Sequence, residues 1–285
     1  MTADTHRTPV FSVVVPAFNA QDTLAETLSA VQAQTLLEWD CIVVDDGSTD
    51  GTRRIAQEFS ASDARFRVIS QENRGTGGAY NTGVAASQCE WVSICSADDV
   101  LLASHLETML GAVRTHPGVS IFSCNGYYWF PDGSKSLAYP GESGDREMQW
   151  TLEDTLERCF FSVGACYQRR LYDDVGGYLE DAYGEDYDFW LRAMANGARH
   201  LYIPAALALH RVSATQKSAN LVKAFESDIS SIRRLDTRLL TAKQRMAARY
   251  AVLQRKIMIH QLRYPRSMLT RAIRRMRLIR TRWCG

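Results

Sequence analysis

Short apolar runs alternate with segments of helical period along the N-terminal part of the chain. Phe11 to Val15 (FSVVV) is a continuous, mostly β-branched run ending at Pro16, the pattern of a strand buried on both faces of a parallel sheet. Leu24, Leu28 and Val31 then fall on one helical face, with Asp22 or Thr23 as the cap and Glu26 completing a T-x-x-E capping box. The alternation repeats: strand Trp39 to Val44, tight loop Asp45 to Gly51, helix Thr52 to Phe59, strand Phe66 to Ser70. A glycine-rich loop over Asn73 to Gly78, a short helix over Ala79 to Ser87 and a strand over Trp91 to Cys95 follow. Strands and helices at this spacing predict βαβ units in an open, mainly parallel α/β sheet flanked by helices. Ligands of such sheets sit beyond the carboxyl ends of the strands.

After a helix over Ser104 to Thr115 and a strand over Val119 to Phe122 the regularity breaks. Tyr127 to Phe130 runs into a Pro131-Asp132-Gly133 turn, and Ser134 to Gln149 is a polar connector of a length that suits an acceptor site or lid. From Ser218 the pattern is helical, with apolar positions Val222, Phe225, Ile229, Ile232 and Leu239, then Met246, Tyr250, Leu253 and Ile257; Pro265 opens a last helix. The expected division is therefore a body over 1–217 and a helical extension over 218–285.

The charge divides the chain in the same way. A net charge of +1 conceals 16 Lys and Arg against the single acid Asp236 from Arg233 onward, and 17 bases against 31 acids before it. An acidic body that carries a basic segment suggests a separate partner for each. In the last segment Leu269, Ile273, Met276, Ile279 and Trp283 line one helical face, with Arg271, Arg274, Arg275 and Arg282 opposite. This arrangement predicts a helix lying in an anionic membrane interface; packing on the acidic body is the alternative, and aromatics are too sparse for nucleic acid. The seven cysteines form no C-x-x-C pair, the N-terminus has no signal-peptide pattern, and no run reaches the roughly 18 apolar residues of a membrane span. These features predict a cytoplasmic protein, peripheral at most to the inner face of the membrane.

Two acidic loops end predicted strands: Asp45-Asp46-Gly47-Ser48 and Ser96-Ala97-Asp98-Asp99. Carboxylates so placed suit either a divalent metal that holds a diphosphate or the hydroxyls and base N–H of a nucleotide; helix capping is the plainer alternative. Glu185-Asp186-Tyr187-Asp188 opens a helix, where one acid is accounted for by the helix dipole and three less easily. The first turn, Pro16-Ala17-Phe18-Asn19, lacks G-x-G-x-x-G, which disfavours a Rossmann dinucleotide site.

Five ordered blocks, VVVPAFNA (Val13 to Ala20), VVDDGSTDGT (Val43 to Thr52), ENRGTGGAYNTGVAAS (Glu72 to Ser87), SADD (Ser96 to Asp99) and RRLYDDVGGYLEDAYGEDYDFWLRAMANG (Arg169 to Gly197), with His210 beyond them, resemble the GT-A fold of family 2 glycosyltransferases. The resemblance covers Phe11 to about Val212. It implies an inverting transferase that uses a nucleotide-diphosphate sugar and Mn²⁺ or Mg²⁺, with a saccharide or lipid-linked acceptor. Pro16, Ala17, Phe18, Asp46, Arg74, Asn81 and Asp98 would then contact the donor, and Asp98, Asp99 and His210 would serve the metal. Asp186, paired with Glu185, would be the general base. Ser96 departs from the pattern, since many members carry an aspartate there. It is the one feature that favours a non-catalytic nucleotide-sugar or glycan-binding protein of the same fold.

Overall fold

A computed structural model describes residues 8–139, 147–157, 163–180, 182–213 and 220–265. The chain folds as a mixed α/β structure around a sheet of ten strands. In chain order the strands are β1 (Phe11–Ala17), β2 (Trp39–Asp45), β3 (Phe66–Ser70), β4 (Trp91–Ile94), β5 (Val100–Leu101), β6 (Ile121–Trp129), β7 (Lys135–Leu137), β8 (Met148–Trp150), β9 (Cys166–Gln168) and β10 (His200–Arg211). The helices are α1 (Leu24–Gln32), α2 (Thr52–Ser62), α3 (Gly75–Ala86), α4 (His105–Thr115), α5 (Leu152–Glu157), α6 (Arg170–Val175), α7 (Glu185–Ala195), α8 (Leu221–Arg234) and α9 (Ala242–Arg263).

The sheet runs β3-β2-β1-β4-β9-β6-β10-β5, with β7 added to β6 and β8 to β10. The expected parallel pairing holds for β3-β2-β1-β4 and again for β6 with β10. Between these blocks β9 runs antiparallel to both neighbours. Residues of β1 alternate between two cores, as the strand period requires: Val13 and Val15 pack with Leu24 and Leu28 of α1, while Val14 packs with Tyr80 and Val84 of α3. Each of these valines is fully buried and contributes about 1.5–3 kcal/mol.

The structure departs from the sequence pattern at three places. The glycine run is not a loop but the first turn of α3. A side chain on Gly77 would meet the Leu179 carbonyl oxygen at 2.3 Å, and one on Gly83 would meet Val14 Cγ1 at 2.3 Å. These glycines let a helix lie close to β1 and to the chain before α7. Val119 to Phe122 and Tyr127 to Phe130 join into the single strand β6. The intervening Ser123 and Asn125 look like loop residues but are fully buried; Asn125 Oδ1 accepts from Gly126 N and Tyr139 N. The Thr23 and Glu26 capping box does not form: Thr23 makes no side-chain cap bond, and Glu26 pairs with Arg211.

In α9 the structure shows which face of the helix turns inward. Met246, Tyr250 and Leu253 point outward, at 64%, 56% and 53% exposure. The inner face consists of Ala251, Arg255 and Ile259, with Ala247, Ala248 and Val252 packed beside them. Small residues let α9 approach closely, and Arg255 is satisfied by Asp228, the Leu156 carbonyl and the Tyr187 hydroxyl at 2.8, 2.8 and 3.0 Å. Ile232, Leu235, Leu240 and Ala251 share one core cluster with Tyr187 and Trp190 of α7, so the extension through α9 is built onto the body. The predicted boundary at 217 and the basic helix beyond Pro265 lie outside the described residues. No helix among the described residues is long and apolar enough to cross a membrane.

Candidate active site

The carboxyl ends of β1 and β2 are joined by a dense set of hydrogen bonds. Asp46 N donates to the Ala17 carbonyl at 2.8 Å, Asn19 N to Ser48 Oγ at 3.0 Å, and Thr49 N to Asn19 Oδ1 at 2.9 Å. Asn19 holds a left-handed φ of 48° to make the last two bonds. Pro16 and Ala17 are buried, whereas Phe18 is half exposed at the rim. Asp45 closes its own turn by accepting from Ser48 N, and Asp50 takes the capping role by accepting from Thr52 N. Asp46 is left for neither. Its Oδ1 accepts from Gln71 Nε2 at 2.7 Å and from Arg74 N at 2.9 Å, which fixes the chain entering α3.

The Arg74 guanidinium itself pairs with Glu180, and this pair holds the Glu180 carboxyl below its ordinary range. The Asn81 amide bonds the backbone of Tyr178 in both directions, at 2.8 and 2.9 Å. Both side chains thus have a structural use that clamps α3 to the segment before α7.

At the end of β4 the turn Ser96 to Asp99 brings Asp99 under the last residues of β10. The Asp99 side chain is buried; its Oδ1 accepts from Arg211 N at 3.0 Å, and His210 Nδ1 stands 3.1 Å away in an electrostatic contact. Burial would lower the His210 pKa, but the Asp99 carboxylate, aided by Asp98, outweighs it and raises the imidazole above its ordinary value. Asp99 Oδ2 is buried and has no hydrogen-bond partner among the described residues. A buried, unsatisfied carboxylate oxygen is costly, and a divalent cation would satisfy it. No three His, Cys, Asp or Glu side chains among the described residues converge around one point. The protein's share of a metal site would therefore be one carboxylate and one imidazole, completed by phosphate oxygens and water, as suits a hard cation. Asp98 contributes its carbonyl, which accepts from Arg211 Nε at 3.1 Å.

Asp99, His210, Glu185 and Asp186 line one cavity of about 290 Å³, together with Thr76, Tyr80, Ser96, Trp190 and the aromatic edge Tyr127, Tyr128 and Tyr139. That volume is at the small end of ligand pockets, enough for a sugar ring rather than a whole nucleotide sugar. Glu185 and Asp186 stand on the first turn of α7, and Asp186 Oδ1 accepts from Tyr187 N at 2.7 Å. Asp188, the third acid of that turn, is structural: it is buried and salt-bridged to Arg192 at 2.7 Å and to Arg234 at 2.8 Å, tying α7 to α8. Ser96 lines the cavity together with Tyr80, a buried phenol whose pKa burial pushes well up. A serine therefore fits beside this phenol, where an aspartate would add a carboxylate to a cavity already lined by Asp99, Glu185 and Asp186.

The structure thus brings Asp99, His210, Glu185 and Asp186 into one cavity, with Asp46 at the neighbouring strand end. Arg74 and Asn81 do not line that cavity. Sequence reasoning missed Tyr80, which lies inside the glycine block, and Arg211. The guanidinium of Arg211 stacks 4.2 Å over Trp129 and bridges Glu26 to the Asp98 carbonyl. The His210-Arg211 dipeptide at a strand end was the available signal for it.

Residues 12–176 match the family described as glycosyl transferase family 2. Among curated proteins, the chain is 27% identical to the putative glycosyltransferase EpsH of Bacillus subtilis (strain 168), over 78% of this chain and 67% of that protein. It is 25% identical to the GalNAc(5)-diNAcBac-PP-undecaprenol beta-1,3-glucosyltransferase of Campylobacter jejuni, over 72% of this chain and 65% of that one. The fold is similar to that of S. aureus TarS 1-349 in complex with UDP-GlcNAc, with a TM-score of 0.72 at 19% identity over 89% of this chain and 74% of TarS. It is also similar to the mannosyltransferase PcManGT of Pyrobaculum calidifontis in complex with GDP-Man and Mn²⁺, with a TM-score of 0.63 at 19% identity over 96% and 81% of the two chains.

Proposed function

Because the chain belongs to glycosyl transferase family 2, we propose that it is a metal-dependent, inverting glycosyltransferase that moves a sugar from a nucleotide-diphosphate sugar to a saccharide or lipid-linked acceptor. The observation that carries this reading is the buried Asp99 Oδ2, without a hydrogen-bond partner among the described residues, beside His210 and in the same cavity as Glu185 and Asp186. Asp99 and His210 suit a diphosphate with its cation, and the Asp186 carboxylate suits an acceptor hydroxyl. The donor class is supported by the fold shared with proteins solved with UDP-GlcNAc and GDP-Man, and the metal by the Mn²⁺ of the second. Relatives named for succinoglycan and teichuronic acid synthesis, and the undecaprenol-linked enzyme, support cell-surface glycan assembly.

In the proposed reaction an acceptor oxygen attacks the anomeric carbon opposite the leaving diphosphate. The new C–O bond forms as the old one to the phosphate oxygen breaks, which inverts the centre. The Asp186 carboxylate takes the acceptor's proton and has to lie within about 3 Å of that oxygen. Asp99 and His210 would hold Mn²⁺ or Mg²⁺, which supplies charge stabilisation to the departing diphosphate. Asp46, at the end of β2, and Phe18, at the rim, would contact the base. The protein would act at the inner face of the membrane, with the basic segment 266–285 as an attachment.

The test is thermal: a panel of nucleotide sugars is added with Mn²⁺ and the melting temperature followed. A ligand at about 100 times its Kd stabilises by about 2.7 kcal/mol. One donor class is expected to raise the Tm, and excess EDTA or Asp99→Asn to remove the rise. A rise that survives both sinks the metal role of Asp99.

A further inference from the structure

The outer face of α9 carries Met246, Tyr250 and Leu253, all more than half exposed, and Ile257, half-buried. At about 100° per residue these four fall within about 60° of one another, a continuous apolar stripe some 16 Å long that points away from the body. Exposed Arg249 and Lys256 flank it on one side, and exposed Lys243, which pairs with Glu153 at 3.4 Å, on the other. Over Ala242–Arg263 the helix has six Lys and Arg and no Asp or Glu. Apolar side chains facing solvent between cations call for a cover that is both apolar and negatively charged.

Charge discriminates among the candidate covers. Residues 266–285 carry seven arginines and no acid, so folding them back along α9 would set cation against cation. A second copy of this chain would bring Arg249 and Lys256 of each protomer against the same residues of the other. An anionic bilayer surface meets both requirements: acyl chains receive Met246, Tyr250, Leu253 and Ile257, and headgroups receive the cations.

We propose that the outer face of α9 is itself a membrane-docking surface for anionic lipid, seated on the catalytic body and separate from the basic segment that follows it. The proposal deepens the membrane reading given above. It adds a geometric consequence, because α9 is rigidly tied to the site. Arg255, on its inner face, is buried and bonds Asp228, the Leu156 carbonyl and the hydroxyl of Tyr187, the residue after Asp186. Docking through α9 therefore fixes the orientation of the cavity to the bilayer. Two weak anchors acting together also give stable attachment where one does not.

The experiment is flotation of the full-length protein with phosphatidylcholine vesicles, with and without phosphatidylglycerol at about 30 mol%. The wild type is compared with Tyr250→Glu/Leu253→Glu, with Arg249→Gln/Lys256→Gln, and with Ile273→Glu/Ile279→Glu in the last segment. The expected result is binding only to the anionic vesicles, weakened at least about tenfold by the α9 apolar pair and roughly fivefold per neutralised charge by the other α9 pair. Near-UV circular dichroism and the donor-induced Tm rise, unchanged in both α9 variants, establish that the fold and the site are intact. If the α9 variants float like the wild type while the Ile273/Ile279 variant does not, the α9 surface is overturned and the terminal attachment stands. If no form binds, both fall. If light scattering shows a dimer that the Tyr250/Leu253 variant abolishes, the face is a self-association surface and the proposal is overturned.

Discussion

Replacing Arg255 by methionine tests how the extension is joined to the body. The guanidinium is 6% exposed and makes an ion pair with Asp228, itself 21% exposed, and hydrogen bonds to the Leu156 carbonyl and the Tyr187 hydroxyl. Methionine fills much of the volume but leaves Asp228 as an uncompensated buried charge. Breaking a buried pair from one side costs about 3–5 kcal/mol, and the partial exposure of Asp228 puts this case near 3 kcal/mol. For a chain of this size that is a Tm lower by about 6–10 °C. The loss has a predictable pH dependence. Burial raises the Asp228 pKa above its ordinary value, and Arg255 opposes that rise; without Arg255 the pKa climbs further. The native state then holds a proton that the unfolded state has released. The deficit is smallest below the ordinary carboxyl pKa and grows as pH rises through the elevated native value. Urea unfolding of wild type, Arg255→Met and Arg255→Met/Asp228→Asn across acid to neutral pH reads this directly. The double variant should recover most of the loss and remove its pH dependence. A single-variant deficit below about 1 kcal/mol at neutral pH, or one independent of pH, refutes the reasoning.

Two further outcomes follow from particular contacts. Gly83→Ala should gain about 1 kcal/mol of helix propensity. Its methyl, however, would fall 2.3 Å from Val14 Cγ1 on the rigid strand β1, an overpacking that costs about 1–3 kcal/mol, so a net loss of about 1 kcal/mol in urea is expected. Stabilisation would mean that α3 sits farther from the sheet. The Mn²⁺-dependent Tm rise with a donor should shrink as pH falls through the neutral range, because protons compete for the His210 imidazole, whose pKa Asp99 raises. A pH-independent rise would remove His210 from the metal.

The strands β1 and β2 were legible because Val13-Val14-Val15 and Cys41-Ile42-Val43-Val44 are continuous apolar runs, buried on both faces and followed by turn residues; β3, with exposed Arg67, was legible from its place in the alternation. The same criterion failed in β6, where Ser123 and Asn125 are buried by pairing their polar atoms rather than by being apolar. The glycine run looked like a loop because sequence shows the absence of a side chain but not the Leu179 carbonyl or the Val14 methyl that requires it. In α9 the sequence shows the apolar period but not which face turns inward. An inward face of alanines with a satisfied arginine leaves the larger apolar residues outside. Asp99, Glu185, Asp186 and His210 were found through their resemblance to known motifs. That Asp188 serves structure while Asp186 lines the cavity depends on Arg192 and Arg234, and Arg234 lies 46 residues away in sequence.

The central claim is that Asp186 is the base in a cavity whose donor end is held by other residues. The most direct measurement compares wild type with Asp186→Asn, using whichever nucleotide sugar stabilises the protein with Mn²⁺: donor affinity from the Tm rise, and the rate of nucleoside diphosphate release. Donor affinity is predicted to be unchanged, and the release rate to fall by about 10²–10⁴-fold, the usual contribution of a positioned base. A rate within about tenfold of wild type, or the loss of donor binding together with the rate, would contradict it.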